Sequence, residues 1–294
     1  MSKIPSRAWV VGVFAWTACQ GRDSLDYFDL PRRVEEQRAS PVRWPPSALT
    51  LRGVVDERLG LPALTAGFGG RPLEIALVAS VQFPGYVEED VRMTDALVGT
   101  MEVTRLVPRT SPRGAVVGIH GHDRDRQDFS DNLLGRELAA SGLLVMMPTL
   151  RAMECDAEES AVAAHLSANH LSLMGVRVYE VLLVLKHLDG RPDVPRGHVA
   201  LMGHSGGSTV AALVARVTSG VSVLVTDYDV DFLNRCPRPG KPDLPHCETI
   251  PAFRPLRSRL QDPGTLDLHW LKVPYAYGDA AKRAEIIRFV GSYI

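Results

Sequence analysis

Residues 199–217 read VALMGHSGGSTVAALVARV, and this stretch says more about the architecture than any other part of the chain. Its first four residues are apolar and predict a buried strand, and its second half is rich in Ala and Val and predicts a helix. The turn between them reads Gly203-His204-Ser205-Gly206-Gly207. Glycines beside a serine at such a turn remove side chains that would clash with a strained backbone, and the helix N-terminus favours developing negative charge. The pattern therefore predicts a nucleophile at Ser205.

Strands and helices alternate on both sides of this turn. The pentapeptide 203–207 alone is a weak signal, because chance produces such a pattern in roughly one in ten chains with 25 glycines among 294 residues. The strand before it and the helix after it therefore support Ser205 as the nucleophile. The predicted strands are 74–82, 101–108, 115–120, 143–147, 199–202, 221–226 and 266–274, and the predicted helices are 129–141, 172–189, 205–218 and 280–290. This alternation predicts an α/β fold with a mostly parallel sheet flanked by helices.

A second turn lies upstream, where Ile119-His120-Gly121-His122 follows a short apolar strand. At this position the backbone N–H of His122 can join that of Gly206 in binding an oxyanion. The alternative is that His120 and His122 are loop histidines that only form local hydrogen bonds.

Together these segments resemble the α/β-hydrolase superfamily, and more narrowly its dienelactone hydrolase and acetyl xylan esterase branch. The resemblance covers roughly residues 100–255 and includes GRELAASGLLVMMP, LSLMGVRVYEVLLVLKHLDGRPDV, GHVALMGHSGG and, more faintly, PHCETIP at 245–251. It implies hydrolysis of a small-molecule carboxylic ester through an acyl-enzyme, with no metal or organic cofactor.

The mechanism also needs a base and an acid, in the chain order serine, acid, histidine. After Ser205 the chain contains only His246 and His269. In the superfamily the histidine usually precedes the final helix, but here residues 274–279 read PYAYGD. Asp227 or Asp229, after the next strand, can serve as the acid, with Asp227 preferred. His269 is the first choice for the base and His246 the second.

Two rival functions remain open at this stage. If neither histidine reaches Ser205, the protein is a catalytically silent hydrolase fold used for binding or scaffolding in the cell envelope. An acyltransferase that uses the same serine cannot be separated from a hydrolase by sequence.

The N-terminus has the pattern of an export signal. Lys3 and Arg7 precede an apolar run from Ala8 to Trp16, and small residues lead to Cys19. Positively charged residues followed by an apolar run and then by small residues predict a signal peptide over 1–19. The cysteine resembles the lipidated residue of bacterial lipoproteins, which implies an outer-membrane or periplasmic location. The alternatives are a plain signal peptide cleaved nearby or a frayed apolar N-terminus.

The rest of the chain divides into two parts. Residues 20–70 contain many Pro, Arg and Gly residues and predict a tether and irregular lead-in, whereas 71–294 form the single catalytic domain. Cys236 and Cys247 lie close together in a Pro-rich stretch, so they form a disulfide or, with Cys155, remain free thiols.

Composition excludes several classes of protein. The chain is 45% hydrophobic and 23% charged with a net charge of -1, as expected for an ordinary soluble globular protein. Because acidic and basic residues nearly balance, the net charge provides no electrostatic attraction to nucleic acid. No apolar segment reaches the roughly 20 residues that span a bilayer, and no spacing of Cys or His indicates a metal site.

Overall fold

The computed structural model describes residues 25–37, 51–122, 124–153, 156–227, 259–260, 262, 264, 266–273 and 279–294. The predicted signal peptide with Cys19 lies outside these residues, as do Cys155, Cys236 and Cys247. Asp229 and His246, two of the candidate site residues, also lie outside them. No helix in the described ranges is long and apolar enough to cross a membrane.

A single eight-stranded sheet forms the centre of the protein. Its strands are β1 (Leu73–Gln82), β2 (Tyr86–Asp95), β3 (Gly99–Pro108), β4 (Ala115–Ile119), β5 (Leu144–Pro148), β6 (Val199–Gly203), β7 (Val223–Thr226) and β8 (His269–Lys272). The strand order is β1-β2-β3-β5-β4-β6-β7-β8. The first three strands are antiparallel, β3 pairs antiparallel with β5, and the other five strands are mutually parallel. The predicted α/β class with a mostly parallel sheet is confirmed.

Nine helices are present in the described part of the chain. They are α1 (Leu25–Gln37), α2 (Leu51–Leu59), α3 (Leu61–Thr65), α4 (Arg126–Asn132), α5 (Gly135–Ala140), α6 (Asp156–Ala168), α7 (Leu173–Asp189), α8 (Gly206–Val217) and α9 (Ala280–Tyr293). They cover both faces of the sheet and form two apolar clusters. Neighbouring strand residues alternate between these clusters, as Val116 and Val117 show. Burial on both faces explains why the central strands are almost entirely apolar.

Residues 51–65 differ from the predicted irregular lead-in. They form α2 and α3, and Val55, Leu59 and Leu64 are fully buried in the core. The backbone of Leu59 packs directly on Gly175 of α7, where a Cβ would collide with it. The prediction counted Pro62 as a sign of irregular structure. It lies instead in the first turn of α3, where proline is well tolerated.

The predicted helix over 129–141 is two short helices. Leu134 has a φ of 84°, in the left-handed region, and therefore ends α4 before α5 begins. The turn lets Phe129, Leu133 and Leu138 all contribute to the same apolar cluster.

The parallel register brings the candidate site together. Ile119 at the end of β4 pairs with Gly203 at the end of β6, and Gly203 pairs with Thr226 at the end of β7. The residues that follow these three strands therefore meet at one edge of the sheet. Ligands of open α/β sheets commonly bind at this carboxyl edge.

Candidate active site

Ser205 occupies a strained turn between β6 and α8. Its φ is 50° and its ψ is -118°, a conformation that L-residues rarely adopt. Backbone strain of this kind costs about 1–3 kcal/mol and persists only where the surroundings enforce it. Here α8 is seated so closely on the strand ends that a Cβ at Gly207 would collide with the carbonyl oxygens of Ile119 and His120. The geometry is that of a nucleophile elbow.

Asp227, the predicted acid, lies directly beneath this elbow. It follows β7 and its side chain is only 1% exposed. Its Oδ1 accepts a hydrogen bond from the Ser205 backbone N–H at 2.8 Å and lies 2.8 Å from the Ser208 hydroxyl. Its Oδ2 is hydrogen-bonded to Nδ1 of His204. The carboxylate therefore holds the turn in place and orients His204, the residue that precedes Ser205.

His269, the first-choice base, does not meet Ser205. It begins β8, where it pairs with Val223 at the start of β7, and its ring stacks on Tyr293 at 3.7 Å between centroids. Asp227 lies four residues after Val223, just past the end of β7, or about 13 Å away at the usual rise of a strand. His269 is therefore at the amino end of the parallel strands, and its assignment as base is corrected. The second choice, His246, lies outside the described residues.

The loop after β4 passes directly over Ser205. A Cβ at Gly121 would lie 2.9 Å from Cβ of Ser205, so only a glycine fits between them. His120 is fully buried and fixes the loop from below. Its Nε2 accepts the Leu150 backbone N–H at 3.0 Å, so its Nδ1 carries the proton and donates to the Gly121 carbonyl at 2.8 Å. Burial lowers the pKa of His120 to about 4, which keeps the ring neutral.

His122, the predicted source of an oxyanion donor, is held by a buried charge pair. Its ring packs against Gly206, where a Cβ would collide with Nδ1 and Cε1. Its Nε2 lies 3.3 Å from Oε1 of Glu159, and the same oxygen accepts a hydrogen bond from Nη1 of Arg177 at 2.7 Å. The residues whose amides were predicted to bind the oxyanion, His122 and Gly206, are therefore in contact beside Ser205.

The Glu159 carboxylate is ionised in this setting. Burial alone would raise its pKa, but the hydrogen bond with His122 and the charge of Arg177 outweigh burial and lower the pKa to about 2. An ionised carboxylate only accepts hydrogen bonds, so Nε2 of His122 is the donor. Glu159 and Arg177 are both buried, on α6 and α7. Sequence reasoning missed this pair, because Glu159 sits in a run of acidic residues typical of a solvated surface.

Among the residues that the structure describes, no group of three or more His, Cys, Asp or Glu side chains could hold a metal ion. The arrangement offers a strained serine, a helix N-terminus that begins beside it, and two histidines that are each hydrogen-bonded to a buried carboxylate. Such a set is suited to nucleophilic attack on a carbonyl group.

Comparison with known proteins adds the fold family. No protein-family model and no curated protein matches the sequence. Among solved structures, an acetyl xylan esterase from Paenibacillus sp. R4 is similar at 11% identity and a TM-score of 0.59, over 90% of this chain and 99% of that one. Acetyl xylan esterase 1 from Thermoanaerobacterium sp. JW/SL YS485 is similar at 13% identity and a TM-score of 0.50, over 92% of this chain and 94% of that one.

A third relative is longer than this protein. It is a Bacteroides fragilis protein assigned as an acetyl xylan esterase, with 14% identity and a TM-score of 0.52 over 67% of this chain. The alignment spans about half of that relative's length, 54%. The strand order, the turn at Ser205 and these similarities together show that the chain has the α/β-hydrolase fold.

Proposed function

We propose that this protein hydrolyses carboxylic esters through an acyl-enzyme formed on Ser205. The observation that carries the proposal is the backbone of Ser205, which holds a left-handed conformation at the start of α8 beneath the Gly121 loop. A serine held in this conformation, where glycine would be relaxed, supports the proposal because a catalytic nucleophile at a strand-to-helix turn is held in the same way.

The proposed chemistry follows from the groups around the serine. The Ser205 oxygen attacks the ester carbonyl, and the negative charge that develops is stabilised by the amides of Gly206 and His122 and by the N-terminus of α8. The alcohol leaves, and water then releases the acid from the acyl-enzyme. Because Gly121 lies against Ser205 and the ring of His122 packs on Gly206, we propose a short acyl group. The acetyl esterases that share the fold support that choice.

The activity is tested by hydrolysis of p-nitrophenyl esters from acetate to octanoate. We expect the acetate to be the best substrate, and we expect Ser205→Ala to lower the rate by about 10⁴-fold or more. The control is Ser80→Ala, which makes the same change on the exposed strand β1. A Ser205→Ala variant as active as the control, or a folded wild-type protein that hydrolyses none of the esters, would overturn the proposal.

We also propose that the protein is exported and lipidated at Cys19, on the strength of Lys3, Arg7 and the apolar run 8–16. The test is incorporation of labelled palmitate when the full chain is expressed in a bacterial host. We expect incorporation in the wild type and none in Cys19→Ser. Equal incorporation, or none in either, would contradict this assignment.

A further inference from the structure

The outer edge of β1 is an apolar strand that lies open to solvent. We propose that two copies of the chain pair through this edge, antiparallel about a two-fold axis, so that their two sheets join into one. This interaction surface is separate from the site around Ser205 and does not depend on the proposed function.

The exposure of β1 is the first observation that supports the pairing. β1 ends the strand order, and β2 is its one partner among the described residues. Residues 76–82 are all exposed, and the exposed fractions of Leu77, Val78 and Val81 are 57%, 53% and 48%. Charged residues and prolines commonly protect an edge strand from pairing, but β1 has one charge, Glu74, and no proline. Such an edge is suited to forming a further ladder.

A bulge in β1 determines which face of the sheet each side chain occupies. β1 pairs Leu77 with Val91 and Ala79 with Asp90, so Val78 is an additional residue and the alternation reverses there. Directly opposite side chains in an antiparallel ladder lie on the same face. The register with β2 therefore places residues 75, 77, 80 and 82 on one face and residues 74, 76, 79 and 81 on the other.

This distribution fits a second copy of the same strand. An antiparallel register that pairs Leu77 with Ser80 of the other copy keeps the opposing side chains on matching faces on both sides of the axis. Each large exposed side chain then meets a small one, and the pairs are Leu77 with Ser80, Val81 with Ala76 and, at the axis, Val78 with Ala79. Residues 74–83 of both copies align, which allows about ten backbone hydrogen bonds, a number typical of protein interfaces. The pairing uses β1 of both copies and therefore closes at two chains.

Charge complementarity favours a second copy over another occupant. In this register Glu74 of one copy lies opposite Phe83 of the other. The Phe83 carbonyl accepts hydrogen bonds from Nε and Nη2 of Arg109 at 3.0 and 2.9 Å, and Nη2 also donates to Oε1 of Gln82 at 3.0 Å. The guanidinium of each copy is therefore within reach of the single carboxylate of the opposing strand, and the two-fold axis forms this pair twice.

The first test is the oligomeric state of the full chain, measured by sedimentation equilibrium. We expect a dimer at tens of micromolar, and we expect Val81→Lys to raise the dissociation constant by about 10-fold or more, because lysine on an edge opposes pairing. The control Ser292→Lys places the same charge on an exposed position of α9 and should dimerise as the wild type does. A monomeric wild type, which is the result if another segment of the chain or a different partner covers β1, would overturn the proposal. Wild-type affinity in Val81→Lys would overturn it as well.

Charge reversal tests the register and decides the case if Val81→Lys does not fold. Glu74→Arg and Arg109→Glu each bring like charges together across the axis, so each should raise the dissociation constant by about 10-fold or more. The matched control is Glu285→Arg, an exposed reversal on α9 that should leave dimerisation unchanged.

Mixing the two variants gives the sharpest result. An equimolar mixture of Glu74→Arg with Arg109→Glu should form heterodimers, because both pairs across the axis are then of opposite charge. Native mass spectrometry identifies the heterodimer, since the two variants differ in mass. The chain that carries both changes should regain the wild-type dissociation constant. Single variants that dimerise as the wild type does, a mixture without heterodimers, or a double variant as weak as either single one would each overturn the proposed pairing.

Discussion

Neutralising Glu159 should destabilise the protein by an amount that depends on pH. Glu159→Gln keeps the size of the side chain but removes the charge that faces Arg177, whose side chain is 1% exposed. The folded state holds the pKa of Glu159 at about 2, against an ordinary value of 4.5. That difference corresponds to about 3 kcal/mol of stability at neutral pH. It agrees with the roughly 3–5 kcal/mol lost when one partner of a buried ion pair is removed.

The sign of the pH dependence follows from the lowered pKa. The contribution of Glu159 is fully present above the unfolded pKa near 4.5, and it is lost as the pH falls towards the folded pKa near 2. The free energy of unfolding of Glu159→Gln should therefore lie about 3 kcal/mol below that of the wild type at pH 7. The gap should close progressively between pH 4.5 and 2, because protonation neutralises the wild-type carboxyl as well.

The assay is urea unfolding followed by tryptophan fluorescence at pH 7, 5.5, 4 and 3. Glu285→Gln, an exposed carboxylate on α9, is the matched control and should change stability by less than about 0.5 kcal/mol at every pH. Equal stabilities of Glu159→Gln and the wild type at pH 7 would refute the buried pair. So would a gap of constant size down to pH 3, because it would show that the charge is not its cause.

Three further changes test the packing around Ser205. Ser205→Gly should abolish ester hydrolysis yet raise the free energy of unfolding by about 1 kcal/mol, measured by urea titration, because glycine relaxes the strained turn; a loss of stability would contradict the strain. Gly207→Ala should lower stability by about 3 kcal/mol or more in the same titration, since its Cβ would collide with the backbone of β4; near-wild-type stability would refute the close approach. The pKa of His120 is lowered to about 4 in the folded protein, so the unfolded chain binds a proton first and the wild type loses stability as the pH falls from 6.5 to 4. His120→Gln should remove this loss when the free energy of unfolding is measured by urea titration at several pH values. An unchanged pH profile would contradict a buried neutral ring.

The parts of the fold that the sequence predicted are those with strong local signals. The central strands are continuous apolar runs, and the turn at 203–207 combines strand, glycines and helix in one stretch. β2 was not predicted, because Tyr86–Asp95 is rich in charge. It is half buried between β1 and β3, and Glu89 pairs across the sheet with Arg105 of β3. The pairing of Glu89 with Arg105 can be recognised only once the register of β2 against β3 is known.

Placement of the site was predictable only in part. The sequence predicted that Ser205 and Asp227 lie close together because each follows a recognisable strand, and parallel strands present their ends at one edge. The choice of His269 failed because the end of the sheet at which a residue lies depends on the register of β8 against β7. The partners of Asp227 and of His122 were missed for a similar reason. His204 and Glu159 meet them through contacts between residues 23 and 37 positions apart, and no periodicity in the sequence marks those contacts.

The most direct measurement of the central claim is to locate a covalent adduct. The wild-type protein is treated with a fluorophosphonate and digested, and the modified peptide is sequenced by tandem mass spectrometry. We expect a single phosphonylated residue, Ser205, and no adduct after the protein has been unfolded in urea before treatment. An adduct on another residue, or no adduct on a protein shown to be folded by its near-ultraviolet circular dichroism, would contradict the account of Ser205 as an activated nucleophile.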